Sequence, residues 1–458
     1  MLRKLFAAAL IAALLCAIAL PAAAAYGSFT DVKDTDYFAS AVTWAVSHGV
    51  TYGKTETSFA PDDTCTRAQV MTFLWRVKGE PMPQARRNPF LDVPLDSYFE
   101  NAVLWAVEQG ITVGTSQTSF SPDDTCTNAQ IITFLWRANN APEPVGASLL
   151  TQGWSADEYY YKAVAWGDGE ALFEDMGTVF DPDEPCSRAR TIAWLYRDAV
   201  VHVSDITGLI SAIRPGRVIF LSPGTYNLTE WANAAARQHE VTGNDYVRLE
   251  RCNDGWEVQL QGVKNLDVLR SESSQGKVEI VTEPRYANVL SFRNCSGIYL
   301  SGLTMGHTPE RGTCSGAVLD FRDCGAVAMS DVDLYGCGTY GITAADTDSI
   351  QTVDSTIRDC SYGLLTLDNV TDAGFGGCEF RNCDGYTMVQ LYRSAVYFSE
   401  CLFHNLKWSE GSRFVSLEPG DEASFTDCRF DWNVLNALST HPSNGSGVTL
   451  SNPSLGAG

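Results

Sequence analysis

Positive charge is scarce in this chain. Its 32 Lys and Arg stand against 55 Asp and Glu, a net charge of −23. Such a surface repels polyanions, which excludes nucleic acid and anionic lipid as partners of the chain as a whole. Histidine is scarce too, with six scattered residues, and no two of the 14 cysteines form a C-x-x-C pair. A structural zinc site therefore has no ligand set to draw on. Beyond the first 25 residues no stretch is long and apolar enough to span a membrane.

What is present begins with those first residues. Arg3 and Lys4 precede an apolar run over 5–20, and Ala23-Ala24-Ala25 follows. That order reads as a secretory signal peptide over 1–25 with an A-x-A cleavage site.

A repeat then dominates. Residues 59–76, FAPDDTCTRAQVMTFLWR, return at 120–137 as FSPDDTCTNAQIITFLWR and at 180–197 as FDPDEPCSRARTIAWLYR. Trp44, Trp105 and Trp166 recur at intervals of 61 residues, and Cys65, Cys126 and Cys186 at 61 and 60. A fixed period means one structural unit used three times. In the first copy, apolar residues at Phe38, Ala41, Val42, Ala45 and Val46 predict a helix that Gly49 ends. A loop leads to Thr66-Arg67-Ala68-Gln69, a capping box that opens a second helix. One such unit cannot bury its apolar faces, and three together can. In the third copy, Gly167-Asp168-Gly169 is expected to end the first helix early, and Arg190 stands where the reciprocal cap would be.

The unit resembles the S-layer homology (SLH) repeat. The resemblance rests on Phe29-Thr30-Asp31-Val32, Tyr37-Phe38, Trp44-Ala45, Gly49-Val50-Thr51, Pro61-Asp62 and Thr66 to Gln69, and 90–137 repeats nearly every element. It places repeats at 26–77, 87–139 and, in degenerate form, 149–199. It implies an all-α three-repeat bundle that binds secondary cell-wall polysaccharide, often pyruvylated, and holds a secreted protein non-covalently on a Gram-positive-type cell wall. It also implies glycan contacts by Arg67 and Arg188, with Asp31, Asp92, Trp44 and Trp105 at the same sites. Asn128 replaces the Arg in the second repeat, so the number of working pockets is open.

From 205 to 458 the pattern changes. After a short helix over 205–213 and a strand over 217–221, Leu290-Ser291-Phe292, Leu319-Asp320-Phe321, Leu365-Thr366-Leu367, Val389-Gln390-Leu391 and Val415-Ser416-Leu417 match one another. Thr343-Ala344-Ala345 reads as a weaker member between the second and third. The intervals run from 22 to 29 residues, with two further short strands in each. That spacing reads as a parallel β-helix. The segment resembles right-handed parallel β-helix proteins of the pectin-lyase-like superfamily, so the fold class is multidomain, all-α followed by all-β.

Cysteines recur beside core Phe residues: Cys378, Cys401 and Cys428 in one column, Cys295 and Cys324 in another, and Cys337, Cys360 and Cys383 in a third. Stacked on successive coils, they read as buried free thiols. Cys65, Cys126 and Cys186 occupy one place in three separate units and are expected not to pair.

The β-helix half carries two readings. One is a glycan-binding, adhesive or structural surface module. The other is a lyase or hydrolase acting on an extracellular polysaccharide. The catalytic candidates are Asp333 and Glu379, two coils apart and about 10 Å at ordinary strand spacing, with His307, Glu310 and Arg285 around the longest loop. Tyr340, Tyr362 and Tyr386 precede their strands by one offset and should stack, either as a sugar-facing row or as a turn-filling ladder. Asp346 and Asp348 are a candidate calcium pair.

Overall fold

The computed structural model describes residues 29–84, 88–146, 148–176, 179–237, 244–271, 275–308, 315–336, 338–440 and 447–456. The expected signal peptide, Cys337 and Glu310 lie outside them. The chain divides into two compact units between Val201 and His202.

The first unit is three helix pairs: α1 (Ala39–Ser47) and α2 (Arg67–Val77), α3 (Glu100–Glu108) and α4 (Asn128–Ala138), α5 (Tyr161–Gly169) and α6 (Arg188–Ala199). Each second helix packs on the first helix of the next repeat, α2 on α3 and α4 on α5, and α6 closes the ring on α1. Thr66 and Thr127 form full capping boxes with Gln69 and Gln130, whereas Ser187 caps α6 alone. Arg76, Arg137 and Arg197 donate in the same way to the carbonyls of Val50, Ile111 and Leu172. This repeated bond ties the end of each second helix to the loop after its own first helix.

Two sequence expectations need correction here. Gly167 does not end α5, which matches α1 and α3 at nine residues each. A Cβ at Gly167 would lie 2.6 Å from the Phe173 ring, so the glycine makes room for an aromatic rather than a stop. The three cysteines are free, as expected, but not for the reason of separation. Three-fold closure brings them together. Cys65 N donates to Cys186 O, Cys126 N to Cys65 O and Cys186 N to Cys126 O, at 3.3, 3.0 and 3.0 Å. Equivalent places in a closed ring meet on its axis.

The second unit is a solenoid of three parallel sheets. The first runs through Leu290–Arg293, Leu319–Arg322, Tyr340–Ala345, Gly363–Asp368 and Val389–Tyr392, the second through Ser296–Ser301 to Val448–Ser451, and the third through Leu303–His307 to Ser454–Leu455. Stacked Phe rings fill the interior, among them Phe292 on Phe321 and Phe398 on Phe425. The corners need a left-handed residue at each coil, and Asp or Asn takes most of them: Asn294, Asp323, Asp346 and Asn369 form one such line.

The third-sheet register runs Thr304, Asp333, Thr356, Glu379, Leu402, Arg429 in the expected order. The first sheet differs by one residue: Ile342, not Thr343, aligns with Leu319 and Leu365. A one-residue slip exchanges faces, so Thr343 points outward and Ala344 inward.

Sequence reading also missed the antiparallel hairpin of Val247–Cys252 with Gly255–Gln261, and the helix Leu228–Arg237 that packs on Gly255–Gln261 and Val278–Thr282. The solenoid starts before residue 205. The carbonyl of Val203, in the strand Val200–Val203, accepts from Ser222 N and from the hydroxyl of the buried Tyr226.

Candidate glycan-binding sites

At the first residue of α2, Arg67 turns its side chain into the neighbouring repeat. Its Nε donates to Phe120 O at 2.9 Å, and the guanidinium lies 4.9 Å from the Phe120 ring centroid and 5.5 Å from that of Phe134. Arg188, at the same place in α6, repeats this with Phe59 O at 2.9 Å and with the rings of Phe59 and Phe73. Both residues are 5% exposed. Among the described residues neither has a carboxylate within ion-pair distance. Burial pulls the Arg67 pKa below the usual range for a guanidinium, the sign of a buried cation without a full counter-charge.

The third junction is built differently. Asn128 donates to Asp181 O and to Glu184 Oε2, both at 3.0 Å, and accepts from Arg190 Nη1 at 3.3 Å. Arg190 is itself paired with Glu184 at 2.7 Å and Asp175 at 3.5 Å. Trp194 stands where the other repeats have Phe73 and Phe134. A smaller polar residue and a larger aromatic have replaced the Arg and Phe, and the remaining charges neutralise one another. Arg190 in place of a capping Gln was the signal in the sequence for this network, and sequence reading took it only as a lost cap.

The other residues marked by the resemblance take structural places. Asp31 accepts from Phe59 N, Ser58 Oγ and Ala60 N, and Asp92 accepts from Phe120 N, Ser119 and Ser121 N. Each carboxylate thereby clasps the loop whose Phe carbonyl accepts from the Arg of a neighbouring repeat, Arg188 at Phe59 and Arg67 at Phe120. Trp44 and Trp105 are 5% and 6% exposed. Their rings belong to the core, Trp44 against Tyr196 and His48.

Of the catalytic candidates of the solenoid, Asp333 and Glu379 are each engaged by basic side chains of their own. Asp333 is held by Arg358 through two bonds of 2.7 and 2.8 Å. Glu379 is paired with Arg381 at 3.2 Å and with His404 at 2.8 Å. Thr356 lies between them in the column. His307 is buried with Nε2 on Ala287 O at 2.8 Å, and desolvation lowers its pKa. Arg285 sits on a turn whose amide donates to Asp254.

Asp346 is a left-handed corner whose carboxylate accepts from Asn369 at 2.6 Å. Asp348 lies two residues on, in the link to the next strand. Among the described residues no three His, Cys, Asp or Glu side chains gather at metal-binding spacing. Corner geometry accounts for the acid at 346 without a cation.

The tyrosines do stack. Tyr340 and Tyr362 centroids are 6.0 Å apart, and Tyr362 and Tyr386 are 4.7 Å apart. Tyr340 is buried, while Tyr362 and Tyr386 are 42% and 51% exposed.

Comparison with known proteins matches this geometry. The S-layer homology domain family matches residues 28–71 and 89–132. The N-terminal unit carries S-layer homology repeats. The right handed beta helix region family matches 288–454, so the SLH unit is followed by a right-handed parallel β-helix. A cell surface protein of Thermoanaerobacter kivui is 32% identical over 141 residues, 30% of this chain and 18% of its own length. An S-layer protein of Bacillus licheniformis is 22% identical over 267 residues, 55% of this chain and 29% of its own length. The chain thus spans less than a third of either relative. A solved thermostable pectate lyase aligns with a TM-score of 0.26 and 10% identity, over 56% of this chain and 85% of that one, a likeness too small to carry any argument about chemistry. No helix among the described residues is long and apolar enough to cross a membrane.

Proposed function

We propose that this is a cell-surface protein held non-covalently on secondary cell-wall polysaccharide of a Gram-positive-type cell, with the β-helix displayed outward as a non-catalytic module. The SLH unit takes anionic groups of the polymer, such as pyruvyl substituents, at Arg67 and Arg188. One observation carries this reading: two buried guanidinium groups in a strongly acidic chain lack carboxylate partners among the described residues. A buried cation is costly until an anion compensates it, and a bidentate acceptor such as a carboxylate suits the guanidinium fork. Asn128 marks a junction that is already compensated, so the unit holds two anion sites rather than three.

The test is co-sedimentation of the full chain with purified wall polymer before and after mild removal of its acidic substituents. Binding that survives their removal at full strength contradicts the anionic reading. The lyase or hydrolase alternative gains no support from Asp333 and Glu379, each of which has its own cation.

A further inference from the structure

Beyond wall anchoring, we infer that the outer face of the first β-helix sheet is a second glycan site, a groove for a linear, uncharged polysaccharide. The groove has a volume of about 610 Å³, within the range of pockets that hold organic ligands. Its floor is a register-matched line, Asp320, Thr343, Thr366 and Gln390, one residue per coil. At ordinary strand spacing that line is about 14 Å long, so it suits a run of sugar rings along the solenoid axis better than a single ring.

Its wall is aromatic. Tyr286 and Tyr362 line it and are 51% and 42% exposed, and Tyr340 stands behind them. Flat rings of this kind offer an apolar face with a polar tip, the complement of a pyranose with its C–H face and equatorial hydroxyls.

The floor is pre-organised. Asp320 is 2% exposed and held by Arg293 at 2.7 Å, Arg322 at 3.1 Å and the Thr343 hydroxyl at 2.5 Å. The Tyr340 hydroxyl donates to Gln390 Oε1 at 2.9 Å, and Gln390 donates on to Tyr392. Fixed donors and acceptors lose little entropy on binding. The same network leaves Asp320 no free role as an acid or base, so the groove binds rather than cleaves.

Charge selects the ligand class. Among the described residues, Asp320 and Arg322 are the charged ones lining the groove, and they pair with each other. An acidic polymer would meet no uncompensated cation among them, on a chain of net charge −23. Hydroxyl, amide and phenol groups make up the rest of the polar lining, which fits a neutral glycan.

The experiment titrates the full chain with soluble xylan, glucomannan and mixed-linkage glucan, with polygalacturonate as the acidic counterpart. Tyr286→Ala with Tyr362→Ala removes two half-exposed rings and leaves no core cavity. At least one neutral polymer should bind, and the double variant should weaken it by about tenfold, as expected for loss of central aromatic contacts. Arg67→Ala should leave that affinity unchanged, which separates failure here from failure of the wall-anchoring reading. Binding of none of the neutral polymers, tighter binding of polygalacturonate, or equal affinity of the double variant would overturn the inference.

Discussion

Arg67 and Phe120 stand 53 positions apart and share a 2.9 Å hydrogen bond, with the guanidinium 4.9 Å from the Phe120 ring centroid. The contact joins two repeats and leaves the positive charge without a carboxylate partner among the described residues. Arg188 makes the same contact with Phe59 and closes the ring of repeats.

The loop clasp beneath these contacts is acid-sensitive. Partial burial opposes ionisation of Asp31 and Asp92, but hydrogen bonds from Phe59 N, Ser58 and Ala60 N, and their counterparts at Asp92, outweigh it and hold both below the ordinary value of 3.8. A depressed carboxyl pKa contributes stability that is full above the unfolded value and lost as pH falls through the folded one. Thermal melts of the chain should therefore fall below about pH 4, and Asp31→Asn should flatten part of that slope. An unchanged slope in the variant would remove Asp31 from the explanation.

Gly167→Ala sets helix propensity against packing. Alanine gains about 1 kcal/mol in a helix interior, yet the new Cβ would sit 2.6 Å from the Phe173 ring and 3.0 Å from Ile132. Overpacking of this kind costs about 1–3 kcal/mol, so the melting temperature should drop. A rise would mean that Phe173 moves aside freely.

Cys401 is fully buried in its column and its Sγ donates to Phe375 O at 3.3 Å. Burial pushes its pKa well up, as it pushes Cys126 and Cys186 up to about 12. The buried thiols of native protein should therefore resist alkylation, with half-buried Cys252 as the exception among the described residues, while denatured, unreduced protein should label freely. Cys401→Ala should cost on the order of 1 kcal/mol, and Cys401→Asp should unfold its coil by burying an unpaired charge. Scarce free thiols after denaturation would favour cross-links over stacking.

The solenoid boundary can be tested by truncation. A fragment starting at Val200 keeps the carbonyl of Val203 for Ser222 N and the Tyr226 hydroxyl, at 2.9 and 3.0 Å. A fragment starting at Asp205 removes the acceptor of Ser222 N and leaves the Tyr226 hydroxyl only Ser222 O, at 3.0 Å, at a cost of about 1 kcal/mol. The shorter fragment should melt at a lower temperature; identical melts would place the boundary at 205 after all.

Much of this architecture was legible because periods are physical. The 61-residue spacing of Trp44 and Trp105, the Thr66–Gln69 capping box and the third-sheet column from Thr304 to Arg429 each follow from a repeated local requirement. Position 343 was misread because Ala344 and Ala345 are both small and apolar, so only Ile342, one position earlier, marked the inward face of that coil. The meeting of Cys65, Cys126 and Cys186 was invisible because a period reports equivalence, not closure. Arg67 and Arg188 could be named from the repeat, but their lack of a counter-charge depends on tertiary placement. The groove floor was missed for the same reason: Asp320, Thr343, Thr366 and Gln390 are ordinary alternating strand residues until four coils stack them in register.

The most direct measurement is equilibrium binding of purified wall polysaccharide to the full chain, to Asn128→Ala, and to Arg67→Ala with Arg188→Ala. Wild type and Asn128→Ala should bind alike, with affinity falling as salt screens the ion pairs. The double Arg variant, still folded, should lose binding. A double variant that binds as tightly as wild type would contradict an anchor built on two uncompensated guanidinium groups.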